Sequence, residues 1–176
     1  MRFYIFIIYL PFFVLMTVRH DVGTLPISVI GWNTAGLHYL IIYILLTLPF
    51  IIYMVFFLNR QFLENNKFIK YMTVISSIFI TIGSFIPVIQ TNPVILLAHT
   101  IVSVSSSILL MLTILFALVL HAVKNKHKII LLSFYGMYVA GLSIGFYILY
   151  TAALFQLMAS ISFMLILLVV NTGTII

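Results

Sequence analysis

Two histidines, His38 and His99, stand a few residues inside long apolar runs. Hydrocarbon offers an imidazole neither water nor a counter-charge, so each requires a polar partner or a ligand. Together with Ser28, Gly31, Trp32, Asn33, Asp21, Gln90 and Asn92 they can line an apolar pocket with a few convergent hydrogen-bonding groups, the usual make-up of a small-molecule or lipid-headgroup site. Two imidazoles at one depth on different helices can instead supply both axial ligands of haem b. His99 and His121 lie about 33 Å apart along one helix, which suits a haem near each membrane surface, with His127 as the inner partner in a loop. A zinc site from His20, Asp21, His38 and His99 lacks the H-x-x-x-H pair that makes such sites specific, and Ser28, His38 and Asp21 lack the nucleophile-elbow context of a serine hydrolase. No catalytic residue and no metal site is assigned. Each histidine also reads as an interfacial residue bonded to a neighbouring carbonyl.

The elements that hold these residues follow from composition. Of 176 residues, 65% are hydrophobic and 6% charged, against about 25% charged in a soluble domain. At about 20 residues per crossing, this is a single integral-membrane domain over 1–176 with an all-α, six-helix transmembrane bundle and no soluble domain. The net charge of +6 comes from scattered Lys and Arg at span ends, without the groove-sized cluster and aromatic platforms of a nucleic-acid binder. The absence of cysteine removes disulfides, thiolate metal sites and cysteine nucleophiles. Asp21 and Glu64 are the whole carboxylate supply, which leaves two-carboxylate hydrolysis, Mg-phosphate chemistry and acidic proton relays unsupported.

Apolar runs place the spans at about 3–18, 37–58, 71–88, 94–121, 129–149 and 154–172. No small-x-small cleavage site precedes Arg19, so the first is an uncleaved helix that Pro11 bends. In the second, Pro49 and His38 fall on nearly one face at about 100° per residue, and that face is expected to point into the bundle. Ser77, Thr81 and Ser84 line one side of the third span. His99, Ser103, Ser106 and Thr113 line one side of the fourth, where Ser103 and Ser106 are small enough for close helix packing. Gly141-x-x-x-Gly145 gives the fifth span a surface for a neighbouring helix or a membrane-protein partner. A turn near 150–153 separates the fifth from the sixth.

Positive charge fixes orientation. Arg2, Arg60, Lys67, Lys70, Lys124, Lys126 and Lys128 fall on one side and Arg19 alone on the other, so both termini are inside and the 19–36 loop and 89–93 turn face outward. The two histidines then belong to an outer-leaflet pocket between the second and fourth spans. The chain reads as a multi-pass plasma-membrane protein, bacterial by its brevity and its Ile, Phe and Asn content.

Leu25-Pro26-Ile27-Ser28-Val29-Ile30-Gly31 before the second span, Gly83-Ser84-Phe85-Ile86-Pro87 closing the third and His99-Thr100 opening the fourth resemble a group of six-helix membrane proteins. It comprises the damage-regulated autophagy modulators, the fibroblast-growth-factor-receptor-activating proteins and their uncharacterised bacterial relatives, with an I-S-x-x-G element in the first outer loop and an H-T-x-x-A-like element on helix four. The aspartate that often follows that serine is replaced by Val29, and Val102-Ser103 stands in the alanine region after His99. The resemblance implies involvement with lipid, such as lipid-anchor remodelling or lipid asymmetry, and favours Ser28, Gly31 and His99 as elements of the outer site. The expectation is a lipid or lipid-linked small molecule bound there without catalysis. The alternatives are a haem-binding redox protein and an accessory subunit that packs through Gly141 and Gly145.

Overall fold

The computed structural model describes residues 3–19, 27–34, 36–89, 91–124, 128–149 and 153–172, and all elements among them are helices. Helix α1 (Leu10–Arg19) continues a wider π-helical turn over Tyr4–Tyr9, and the register changes at Leu10, next to Pro11, which has no N–H to give. A short helix, α2 (Ile27–Val29), runs on as a π-turn over Ile30–Thr34. The longer helices are α3 (Leu37–Phe62), α4 (Lys67–Phe85), α5 (Pro93–Lys124), α6 (Lys128–Leu149) and α7 (Ala153–Thr172). Of the described residues, α3, α4 and α5 form helices long and apolar enough to cross a membrane, with shorter apolar helices over Tyr4–Val18, Ile130–Leu142 and Gln156–Val170. Ile78, Phe79, Ile82, Leu97, Ile101, Leu112 and Phe116 are all exposed, a surface that water would not tolerate and lipid accepts. The protein is a helical membrane protein.

Element ends differ from the hydropathy reading where polar residues stay helical. Helix α4 starts at Lys67, four residues before the expected 71, because the Asn66 side chain accepts from Phe68 N–H at 2.9 Å and Ile69 N–H at 3.4 Å. The Lys70 ammonium lies over the Phe56 ring, 5.8 Å from its centre, so its charge does not end the apolar face. The other end of α4 stops at Phe85 rather than 88, since Pro87 drives Ile86 into an extended conformation (φ −71°, ψ 122°). Between α3 and α4 the chain reverses through Glu64 and Asn65, both at positive φ. Asn59, fully buried, donates from Nδ2 to the Asn66 carbonyl at 2.9 Å and locks that turn. Glu64 pairs with Lys124 at 2.6 Å, tying the turn to the end of α5. This hydrogen bond, then the charge, holds the Glu64 carboxyl below the usual carboxylate range. Both partners are exposed and add little stability; what they add exists above the ordinary carboxylate pKa and fades as pH falls through the lowered one.

The most extensive packing joins α4 to α5, and α3 lies against α4, α7 and α5. Small residues permit the α4–α5 approach. A Cβ on Gly83 would lie 2.8 Å from Ser103 Oγ and 3.0 Å from Ser103 N. Ser77, Thr81 and Ser84 return their hydroxyls to the carbonyls of Thr73, Ser77 and Ile80, so the α4 polar stripe satisfies itself within its own helix.

The face of α3 that carries His38 and Pro49 does not enter the bundle. His38, Ile42, Leu45, Pro49 and Tyr53 are exposed, whereas Leu40, Ile44, Thr47, Leu48, Ile51 and Met54 are buried. Lipid solvates apolar faces as well as a protein core does, so hydrophobicity alone does not select the inward one. Steric fit does: the Tyr4 ring stacks on Phe50 at 4.8 Å and its hydroxyl donates to the Leu46 carbonyl, beside the gap that Pro49 leaves in the helix ladder. Helix α6 packs through Leu131 and Tyr135, while Gly141 is exposed with nothing within 4 Å of a Cβ placed on it. Among the described residues nothing packs on Gly141, and the surroundings of Gly145 lie outside them.

Candidate functional site

The residues that come together are Ser28, His99 and the carbonyl of Ile86. Helix α5 begins at Asn92-Pro93, where the Asn92 side chain accepts from Val94 N–H at 3.2 Å and Ile95 N–H at 3.3 Å and proline occupies the first helical position. Asn92 thus acts as a cap. His99 follows in the second turn, 6% exposed. Its Nδ1 is 2.9 Å from the Ile86 carbonyl oxygen and its Nε2 is 3.1 Å from Ser28 Oγ.

A sequence rule at Pro87 sets up this geometry. Because the residue before proline is steered away from the helical region, Ile86 turns its carbonyl out of α4, where His99 can meet it. A carbonyl only accepts, so Nδ1 carries the proton and, in the neutral ring, Nε2 is left as the acceptor for the Ser28 O–H. The tautomer is assigned from these partners. The result is a serine hydroxyl bonded to the basic nitrogen of an oriented imidazole.

Ser28 is delivered by the segment Ile27–Thr34, which lies across the ends of the longer helices. Ile27 N–H donates to Gln156 Oε1 of α7 at 3.1 Å, and Trp32 Nε1–H donates to the Ser84 carbonyl of α4 at 3.1 Å. Ile27 and Ile30 are buried beneath it. Gly31 lets it close on α3, since a Cβ there would sit 2.7 Å from Leu40 Cβ. Gly36, at φ +82°, then turns the chain into α3. Anchors on α3, α4, α5 and α7 therefore fix one segment and hold Ser28 half-buried against His99.

Other expected site residues are placed differently. His38 is exposed, its ring 4.4 Å from that of Tyr39 on the outward face of α3. Trp32 is half-buried and bonded to backbone. Asp21 and Gln90 lie outside the described residues, as does the side chain of Asn33. His121, on the far end of α5, is 3.2 Å from the Tyr135 hydroxyl through Nδ1 and meets the Phe62 ring edge-on at 4.8 Å; His127 lies outside the described residues. Both ring nitrogens of His99 have partners, so an axial-ligand role would require displacing Ser28 or Ile86.

Sequence reasoning missed two features. One is the carbonyl of Ile86, signalled by Ile86-Pro87. The other is a hydroxyl cluster, in which Tyr43 and Ser160 share a hydrogen bond of 2.8 Å and the hydroxyls of Tyr9 and Thr47 face the group with no partner in hydrogen-bonding geometry among the described residues. Searches for similarity find no matching family model, curated protein or solved structure, and the chemistry is read from the chain's own geometry.

Proposed function

We propose that this protein binds a lipid or lipid-linked small molecule in the outer leaflet of the plasma membrane, at the polar centre formed by Ser28 and His99. The observation that carries the reading is the hydrogen bond between buried His99 and half-buried Ser28 at one end of the helices, a polar centre among largely apolar side chains. Seven of the eight Lys and Arg residues belong by sequence to the opposite end, which supports placing that end inside and the Ser28 end outside. A shallow groove of about 280 Å³ between α4 and α5, lined by Phe79, Ile101, Val102, Ser105, Ser106 and Leu109, lies farther along α5 and offers an apolar seat for an acyl chain.

The test is lipid extraction and mass spectrometry of the full-length protein purified in mild detergent. A lipid class retained by the wild type and by His38→Ala, and lost from His99→Ala, is the expected result. Equal retention in His99→Ala overturns the reading.

A further inference from the structure

The geometry points to Ser28 as a nucleophile and His99 as its general base, in an acyl-ester hydrolase that acts on ester-linked lipid. This rests on the proposed lipid site and adds a reaction to it. A serine hydroxyl is a weak nucleophile until an adjacent base takes its proton, and the diagnostic arrangement is a nucleophile and base in hydrogen-bond reach with a third group orienting the base. All three are present: Ser28 Oγ, His99 Nε2 at 3.1 Å, and the Ile86 carbonyl at 2.9 Å on Nδ1. The orienting group is a neutral carbonyl where a Ser-His-Asp triad has a carboxylate, so it fixes the tautomer and accepts from the imidazolium without a full counter-charge.

The substrate class follows from depth and surroundings. His99 is in the second turn of α5, about 9 Å from the helix start, near the level where bilayer lipids carry their ester carbonyls between headgroup and hydrocarbon. Ile89, Val94, Leu97 and Ile101 expose apolar side chains toward the same end of the helix pair, Leu97 and Ile101 on the side of α5 away from the buried His99, a surface that acyl chains can cover. Ser28 is half-buried rather than sealed.

In the reaction, Ser28 Oγ forms a bond to the ester carbonyl carbon as its proton passes to His99 Nε2. The carbon–oxygen bond to the lipid alcohol then breaks, and the alcohol leaves with that proton. Water from the interface attacks the acyl-serine, again giving a proton to Nε2; the acyl group departs as a carboxylic acid and the proton returns to Ser28 Oγ. The net change is ester plus water to acid plus alcohol. Ile86 and Pro87 are positioning residues, acting through the imidazole.

The experiment uses full-length protein in detergent micelles with an alkyl fluorophosphonate, peptide mapping of the adduct, and 4-nitrophenyl octanoate to read turnover. Expected are an adduct on Ser28, none in Ser28→Ala, and labelling and nitrophenolate release both reduced about 100-fold in His99→Asn, the size of a general-base contribution. His99→Asn keeps an amide donor for Ile86 while removing the base, and an unchanged elution profile verifies its fold. A wild type that retains lipid yet gives no adduct on Ser28, or a His99→Asn variant labelled at the wild-type rate, overturns the nucleophile and leaves the binding reading standing. A His99-dependent adduct on protein that carries no lipid supports the chemistry and removes the binding reading.

Discussion

Ser28 and His99 are separated by 71 positions in the chain, and their contact is set by single-residue rules at Pro87, Asn92 and Gly31. Each rule is local: a proline that bars helix before it, an asparagine that caps the next helix, a glycine that permits close approach. His99 was legible in the sequence because its polar stripe continues inward through Ser103 and Ser106. Ser28 stands in the I-S-x-x-G element before the second span, but its bond to His99 was not legible, because a bare Ser-His pairing across helices leaves no spacing signature. The buried hydroxyls argue at this scale too. Tyr43 has a bond to Ser160, whereas the Tyr9 hydroxyl, on a side chain with 0% exposure, meets no partner in full hydrogen-bonding geometry among the described residues. Thermal unfolding in detergent should show Tyr43→Phe destabilised by about 1 kcal/mol and Tyr9→Phe unchanged or more stable, since only the first loses a made hydrogen bond. Equal losses in both would mean that water completes the cluster.

At the scale of elements, hydropathy located the longer helices to within a few residues, but not the helical segment Ile27–Thr34 or the inward face of α3. The existence of α3 follows from a run of apolar residues. That its His38 face looks outward follows from ring stacking and small-residue fit, which a hydropathy pattern does not encode when lipid is the solvent. Glycine shows the same division. The spacing to Gly145 singles out Gly141 for close packing, yet among the described residues it is Gly83 that sits against a neighbouring helix, at Ser103, while Gly141 faces open space. Gly83→Val is therefore expected to cost about 1–3 kcal/mol by overpacking the α4–α5 contact, and Gly141→Val to leave the unfolding midpoint of the isolated protein unchanged. Matching shifts in the two variants would refute this account of the contact.

For the molecule as a whole, charge asymmetry and helix ends agree on two unlike faces. One carries the Asn59–Asn66 lock and the Glu64–Lys124 pair; the other carries Ser28, His99 and Trp32. Since the chain contains no cysteine, single substitutions give an unambiguous test of which face is outside. In intact cells a membrane-impermeant maleimide should label Thr91→Cys and spare Lys67→Cys, with both labelled after lysis. The reverse pattern would invert the molecule and carry the Ser28 centre to the cytoplasm.

The bond from Ile27 to Gln156 joins residues 129 positions apart, near the two ends of the chain. A nascent polypeptide has no such acceptor until α7 has left the ribosome, and contacts of so long a range close late. Full anchoring of the segment that carries Ser28 thus waits for α7: a chain stalled before Gln156 lacks the last clasp on Ile27.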